Sequence, residues 1–267
     1  MPKEYTEYLK NIKKKNLYIN ITKISILLLF ILLWEFLSKK GIIDSFIFSS
    51  PSQVIKTLLN LINNNLFLHI RVTLKEIIIS FMITNIISFI LAIIMYENDF
   101  IAKVIDPYLV MLNSMPKVSL GPILIIWIGA NTKSIITMGI LISVIISVQS
   151  LYNSFKNTDN IKIKLLKSFN ASNKDIIFKL IIPSNKSNII NILKINMSMC
   201  IIGVIMGEFL ISKAGIGYLI LYGSQVFNIN LVMTGIILLL IISSIVSFII
   251  NLFNKNKKEK KLPKKTF

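Results

Sequence analysis

The sequence predicts an all-α integral membrane protein with about six transmembrane helices, a lysine-rich loop between two of them, and both termini on the side of that loop. Three observations carry this. Of the 267 residues, 54% are hydrophobic, and mean hydropathy is +0.72. The apolar residues fall in long blocks rather than in alternation, the pattern of helices solvated by lipid. The lysines collect between and beyond the blocks, where an anionic leaflet would hold them.

Lys3, Lys10, Lys13, Lys14 and Lys15 mark residues 1–20 as a basic tail. The first span is expected at 21–37. Lysines before an apolar run also begin signal peptides, but no small-residue cleavage site follows, and Trp34-Glu35-Phe36 ends the run as an interfacial anchor. In 38–74, Ser49-Ser50-Pro51-Ser52 followed by VIKTLLNLI predicts a capped amphipathic helix lying along the interface. His69 reads as a polar loop residue before the second span. Further spans are expected at 75–96, 104–128, 134–151, 188–210 and 231–253. The third is interrupted by Pro116 and Pro122, and Asp106 before Pro107 reads as a helix start. Residues 21–253 thus form a transmembrane domain containing the 152–187 loop, and 254–267 form a second basic tail.

That loop carries Lys156, Lys162, Lys164, Lys167, Lys174, Lys179 and Lys186, whereas 129–133 and 211–230 hold one lysine each. Positive-inside reasoning places the loop and both tails in the cytoplasm, which requires an even number of spans. Lys39, Lys40, Lys56 and Arg71 then face outward, against the trend. The net charge of +18 would point to nucleic acid in a soluble chain, but its placement here excludes that partner in favour of the bilayer. Cys200 and His69 are single, which excludes an intrachain disulfide and a cysteine or histidine metal cluster and disfavours a hydrolytic triad. No metal or cofactor is expected. No GxxxxGK[ST] phosphate cradle is present, so any nucleotide chemistry belongs to another subunit.

The most informative stretch is 161–183, IKIKLLKSFNASNKDIIFKLIIP. Asn170 tolerates the left-handed conformation and ends one helix. Ser172 caps the next, with Asp175 placed for a capping box, and Pro183 marks the far end. A short helix–turn–helix beside the membrane suits the reception of force from a soluble partner.

These residues resemble the permease subunits of binding-protein-dependent ABC importers, in the branch that carries nitrate, sulfonates and taurine. The family signature reads Glu-Ala-Ala, three residues, Gly, nine residues, Ile-x-Leu-Pro. Aligned on Pro183, this chain has Lys164, Leu165 and Leu166 for Glu-Ala-Ala, Asn170 for the glycine, and Leu180 and Ile182 at the close. The spacing is intact, the first three residues differ, and the asparagine keeps left-handed access. In the same order come Ser50-Pro51-Ser52-Gln53-Val54, His69 to Leu74, Asp106-Pro107, Pro116, Gly121-Pro122 through Trp127-Ile128-Gly129, and Glu208 with Gly215-Ile216-Gly217-Tyr218. The resemblance implies a homodimeric or pseudo-dimeric pore on two cytoplasmic ATP-binding subunits, fed by an extracytoplasmic solute-binding protein. The permease itself would perform no covalent chemistry.

It also makes Lys164, Phe169, Asn170, Ala171, Ser172, Asp175, Phe178 and Pro183 the expected ATPase-coupling residues, with Phe169 an aromatic anchor. Two prolines in one span free carbonyls that lipid cannot satisfy, so Ser114, Pro116, Lys117, Ser119, Gly121 and Pro122 are expected along the translocation path. Glu208 joins them as an intramembrane acid, against the alternative of a glutamate wetted near the interface. Gly215 and Gly217 are expected to serve a tight turn, and Met197, Ser198, Met199 and Gly203 a packing face. Lys194 is expected to snorkel. Rival readings are the coupling subunit of an energy-coupling-factor vitamin importer, a secondary carrier and a membrane enzyme. The carrier lacks visible repeats and coupling-ion sites, and the enzyme lacks clustered catalytic groups.

Overall fold

The structure is a computed structural model describing residues 3–255, and every element among them is helical. Most of the second basic tail, from residue 256, lies outside the described residues. The chain divides into two compact units, residues 1–64 with 223–234 and residues 65–222 with 235–267.

In the first unit α1 runs Lys3–Lys39, starting well before the expected residue 21. No proline or glycine interrupts the sequence from Lys3 to Lys39, so the basic tail continues the helix. The apolar window within Lys14–Lys39 has no buried residue. After the short α2 (Ser45–Phe48), α3 spans Pro51–Asn63. Ser50 caps α3, its Oγ accepting from Gln53 N at 3.3 Å, with Pro51 at the first helical position. Glu35 Oε2 accepts from Ser52 N at 3.0 Å, so a carboxylate from α1 meets the positive end of α3.

In the second unit α4 spans Leu66–Glu97, and His69 lies in its first turn instead of a preceding loop. α5 spans Asp99–Ser114 and is capped by Asn98, so Asp106-Pro107 falls inside the helix rather than at its start. A 3₁₀ turn at Lys117–Leu120 leads to α6, Gly121–Ile128. The expected interruption is a bend of 92° between Asp99–Ser114 and Lys117–Ile128. Five single helices are long and apolar enough to span, and the bent pair makes a sixth if it is one span. α7 (Thr132–Lys156) is followed by α8 (Asn160–Ser168) and α9 (Asn173–Ile176). A wide π turn at Ile177–Ile181 runs into α10, Ile182–Ser184. α11 covers Lys186–Ile211, α12 Ile216–Gln225 and α13 Ile229–Lys255, the last two each divided between the units.

Pro183 does not stop the helix. Ile182 stays helical and donates its N–H to Ile177 O, five residues back, which absorbs the donor that the proline lacks. The break falls at Asn185. Its Nδ2 donates to Thr158 Oγ1 at 2.7 Å, and its Oδ1 accepts from Ser154 Oγ at 3.0 Å. This buried asparagine pins the start of α11 to the end of α7.

The centre of the unit is α4, α7 and α11. Their shared faces carry small and polar side chains. Thr84 and Ser143 hydroxyls lie 2.7 Å apart, and Asn196 Nδ2 donates to Asn85 Oδ1 at 2.8 Å and to Ser147 Oγ at 2.7 Å. A Cβ added at Gly203 would lie 2.6 Å from Gly139 Cα, so the backbones of α7 and α11 touch there. Such seams replace the hydrophobic drive that lipid removes, at about 0.6 kcal/mol per interhelical hydrogen bond.

Candidate functional site

The lysine-rich segment folds as an elbow. Asn170 has φ 56°, and the two bonds around it close α8: Asn170 N donates to Lys167 O at 3.0 Å and Ala171 N to Leu166 O at 3.1 Å. This is a Schellman motif, and Leu166 and Ala171 both pack against the buried cluster beneath it. On the far side, Asp175 N donates to Ser172 Oγ at 3.2 Å while Ser172 N donates to Asp175 Oδ2 at 3.3 Å, a complete capping box. Lys179 Nζ lies 2.6 Å from Asp175 Oδ1. That contact, with the Ser172 hydroxyl, holds the Asp175 carboxyl down at about 2.

The underside of the elbow is fixed. Ile176, Ile177 and Ile181 are buried with Phe155, Tyr152 and Met95 at one end of α4 and α7. The opposite side is open: Phe169 is 73% exposed and Phe178 61%, and Lys164, Asn170 and Ser172 are exposed too. Ala171 is half-buried against the core, and Pro183 is exposed beyond the wide turn.

The remaining expected residues lie at the other end of the unit. Ser114, Ser119 and Pro122 are exposed at the bend, as is Pro116. Lys117 folds back, its Nζ donating to Asn113 O at 3.1 Å and Asn113 Oδ1 at 3.2 Å. Gly121 is buried with Leu210 packed directly over it, which joins the bend to the end of α11. Glu208 is sealed rather than wetted. Its Oε1 accepts from Thr73 Oγ1 at 2.6 Å and its Oε2 from Gly217 N at 2.6 Å. Gly215 and Gly217 do form the tight turn, wrapped around that carboxyl. Gly203 lies on a packing face as expected, and Met197 is buried with it while Ser198 is exposed.

The structure adds two groups of residues to the expected ones. Asn185 sits in a polar stretch with no motif. Thr73 and Glu76 begin a series with Ser80, Thr84 and Ser88, all buried, at steps of three and four along α4. That periodic polar stripe in an apolar block was the available signal.

A polytopic helical bundle whose exposed elbow is braced on its spanning helices is built as the membrane component of a transport system. The chain belongs to the family of binding-protein-dependent transport system inner membrane components, matched over residues 84–259. It is 27% identical over 221 residues to a Haemophilus influenzae protein named "Probable ABC transporter permease protein", covering 83% of this chain and 90% of that one. It is 25% identical over 191 residues to formylaminopyrimidine transport permease protein ThiX of Halalkalibacterium halodurans, covering 72% and 76%. It is 19% identical over 217 residues to taurine transport system permease protein TauC of Escherichia coli, covering 79% and 78%. A chain of the MetNI methionine ABC transporter, solved in inward-facing conformations, shares the fold at TM-score 0.63 and 15% identity, over 71% of this chain and 96% of that one. The chain is the membrane-spanning permease subunit of an ABC importer, of the nitrate, sulfonate and taurine branch.

Proposed function

We propose that the elbow docks on cytoplasmic ATP-binding subunits, two per complex, and passes their closure into a permease homodimer that takes its solute from an extracytoplasmic binding protein. One observation carries this. Two aromatic rings stand exposed on a turn whose backbone is locked on both sides and whose underside is buried in the bundle. An exposed ring on a rigid mount is a low-entropy anchor for a partner groove. The surrounding lysines, which by positive-inside reasoning put the elbow and both termini in the cytoplasm of an inner-membrane protein, would steer the encounter. ATP hydrolysis belongs to the partner. Ser114, Pro116, Lys117, Ser119, Gly121 and Pro122 remain the proposed path, because the bend offers exposed irregular backbone. Glu208 is buried two residues before Leu210, which packs over Gly121.

The solute is a small molecule of the kind named for the relatives: nitrate, a sulfonate, taurine or a formylaminopyrimidine-like heterocycle. Purification of the tagged chain from native membranes in mild detergent is expected to bring down an ATPase with a phosphate-binding loop, in stoichiometric amount. A monodisperse preparation with no ATPase would overturn the docking reading. A co-purified binding protein would then identify the solute by mass spectrometry of what it holds.

The elbow should be insensitive to pH near neutrality. The Asp175 carboxyl is depressed below its unfolded value, so its contribution is complete above about pH 4 and is lost as pH falls through about 2. A spin label in place of Lys174 should keep constant mobility from about pH 8 to about pH 4 and loosen below that. Loosening near pH 6 would show that another group controls the cap.

A further inference from the structure

At the end of the second unit away from the elbow, two carboxyl groups are buried against each other. Glu76 is 1% exposed and Glu208 0%. They come from α4 and α11: Glu76 lies three residues beyond Thr73 on the same buried face of α4, and the Thr73 hydroxyl donates to Glu208 Oε1 at 2.6 Å. Their surroundings differ. Glu208 accepts from the Thr73 hydroxyl and the Gly217 N–H, and it faces the first turn of α12, the positive end of a helix. Glu76 Oε2 is buried with no hydrogen-bond partner.

No basic side chain pairs with either group among the described residues. On α4, Lys75 and Arg71 are exposed, and His69 is occupied, its Nδ1 accepting from Gly215 N at 3.0 Å. On α12, Tyr218 stacks on His69, with Tyr222 stacked behind it. Lys213, in the turn before α12, is exposed. The ionisable side chains of α7 are Lys133 and Lys156 near its two ends, both exposed, with Tyr152 beside Lys156, and Lys194 of α11 lies near the opposite end of that helix. Two ionised carboxylates in such a site would repel each other with nothing to offset the charge.

We propose that Glu76 and Glu208 form a proton-holding pair, with Glu76 protonated and donating its O–H to the Glu208 carboxylate. The hydrogen bonds make the assignment. Glu208 has the donors that a carboxylate needs, and Glu76, which has an oxygen without one, carries the proton. A metal ion fits the site poorly. Two carboxylates and one hydroxyl fall short of the six oxygens or more that a hard cation takes. The chain also closes on Glu208, since a Cβ at Gly217 would stand 2.8 Å from Glu208 Cβ and Oε2. The shared proton then ties α4 to α11 and to the turn into α12. Parting those helices would break the pair and open it to proton exchange.

The test is infrared spectroscopy of the complex purified from membranes, together with its thermal unfolding. At about pH 7 the wild type should show the C=O stretch of a protonated carboxyl, lost in Glu76→Gln. The amide introduced by Glu76→Gln keeps a donor toward Glu208, so this variant should be recovered folded and unfold at the wild-type temperature. Glu208→Gln, which sets an amide against the Thr73 and Gly217 donors, should unfold at a lower temperature. The proposal is overturned if the band persists in Glu76→Gln or if that variant is not recovered folded. It is also overturned if the wild type lacks the band and is stabilised by added sodium or calcium.

Discussion

Replacing Asn170 with proline is expected to abolish recovery of the ATPase subunit while leaving the permease inserted in the membrane. Asn170 sits at φ 56°, and proline is held near −65°, so the left-handed residue of the elbow cannot form. The substitution also deletes the N–H that donates to Lys167 O. Together these exceed the ~1.4 kcal/mol that changes an occupancy tenfold, and the exposed rings of Phe169 and Phe178 lose their mutual placement. Glycine at the same position keeps left-handed access and should recover the ATPase as well as the wild type does. Phe169→Ala should weaken recovery with the turn intact. Normal recovery with Asn170→Pro, measured against the same amount of permease, would remove the elbow from the docking surface.

Gly203→Leu should prevent the permease from being recovered as a monodisperse protein. The added Cβ alone would fall 2.6 Å from Gly139 Cα and 2.9 Å from Met138 O. Both are backbone atoms of α7, so the helices themselves must separate. The lost contact reaches the Thr84–Ser143 and Asn196–Ser147 hydrogen bonds nearby. Overpacking ordinarily costs about 1–3 kcal/mol, and a backbone-to-backbone clash stands at or above the top of that range. Gly203→Ala meets the same atoms with less bulk and should lower the unfolding temperature without eliminating the folded protein. A Gly203→Leu variant that elutes and melts like the wild type would show that α7 and α11 do not meet at this point.

The parts of this molecule that were legible in the sequence are those set by short-range rules. Long apolar blocks announce spans whatever they pack against. The left-handed asparagine and the Ser172–Asp175 box are decided within six residues, so the elbow could be placed residue by residue. Features decided by contact between distant segments were missed or misplaced. Pro183 looked like a stop because the wide turn that accommodates it is held by Ile177 and Ile181, both buried against α4 and α7. His69 looked like a loop residue because its partners, Gly215 and Tyr218, lie far along the chain. Glu208 was recognised as unusual, but its setting depends on Thr73, Glu76 and Gly217, which only the fold collects.

The wide turn at Ile177–Ile181 has a further consequence for rotational phase. A π turn contains one residue more than an α turn, and each residue of an α-helix advances the chain by roughly 100° about the axis. The turn therefore sets the azimuth at which the Phe178 side of the elbow emerges relative to the small-residue face of α11. Both faces depend on that angle, the exposed one that carries Phe178 and the small-residue one that meets α7. A chain one residue shorter here could keep either alignment but not both.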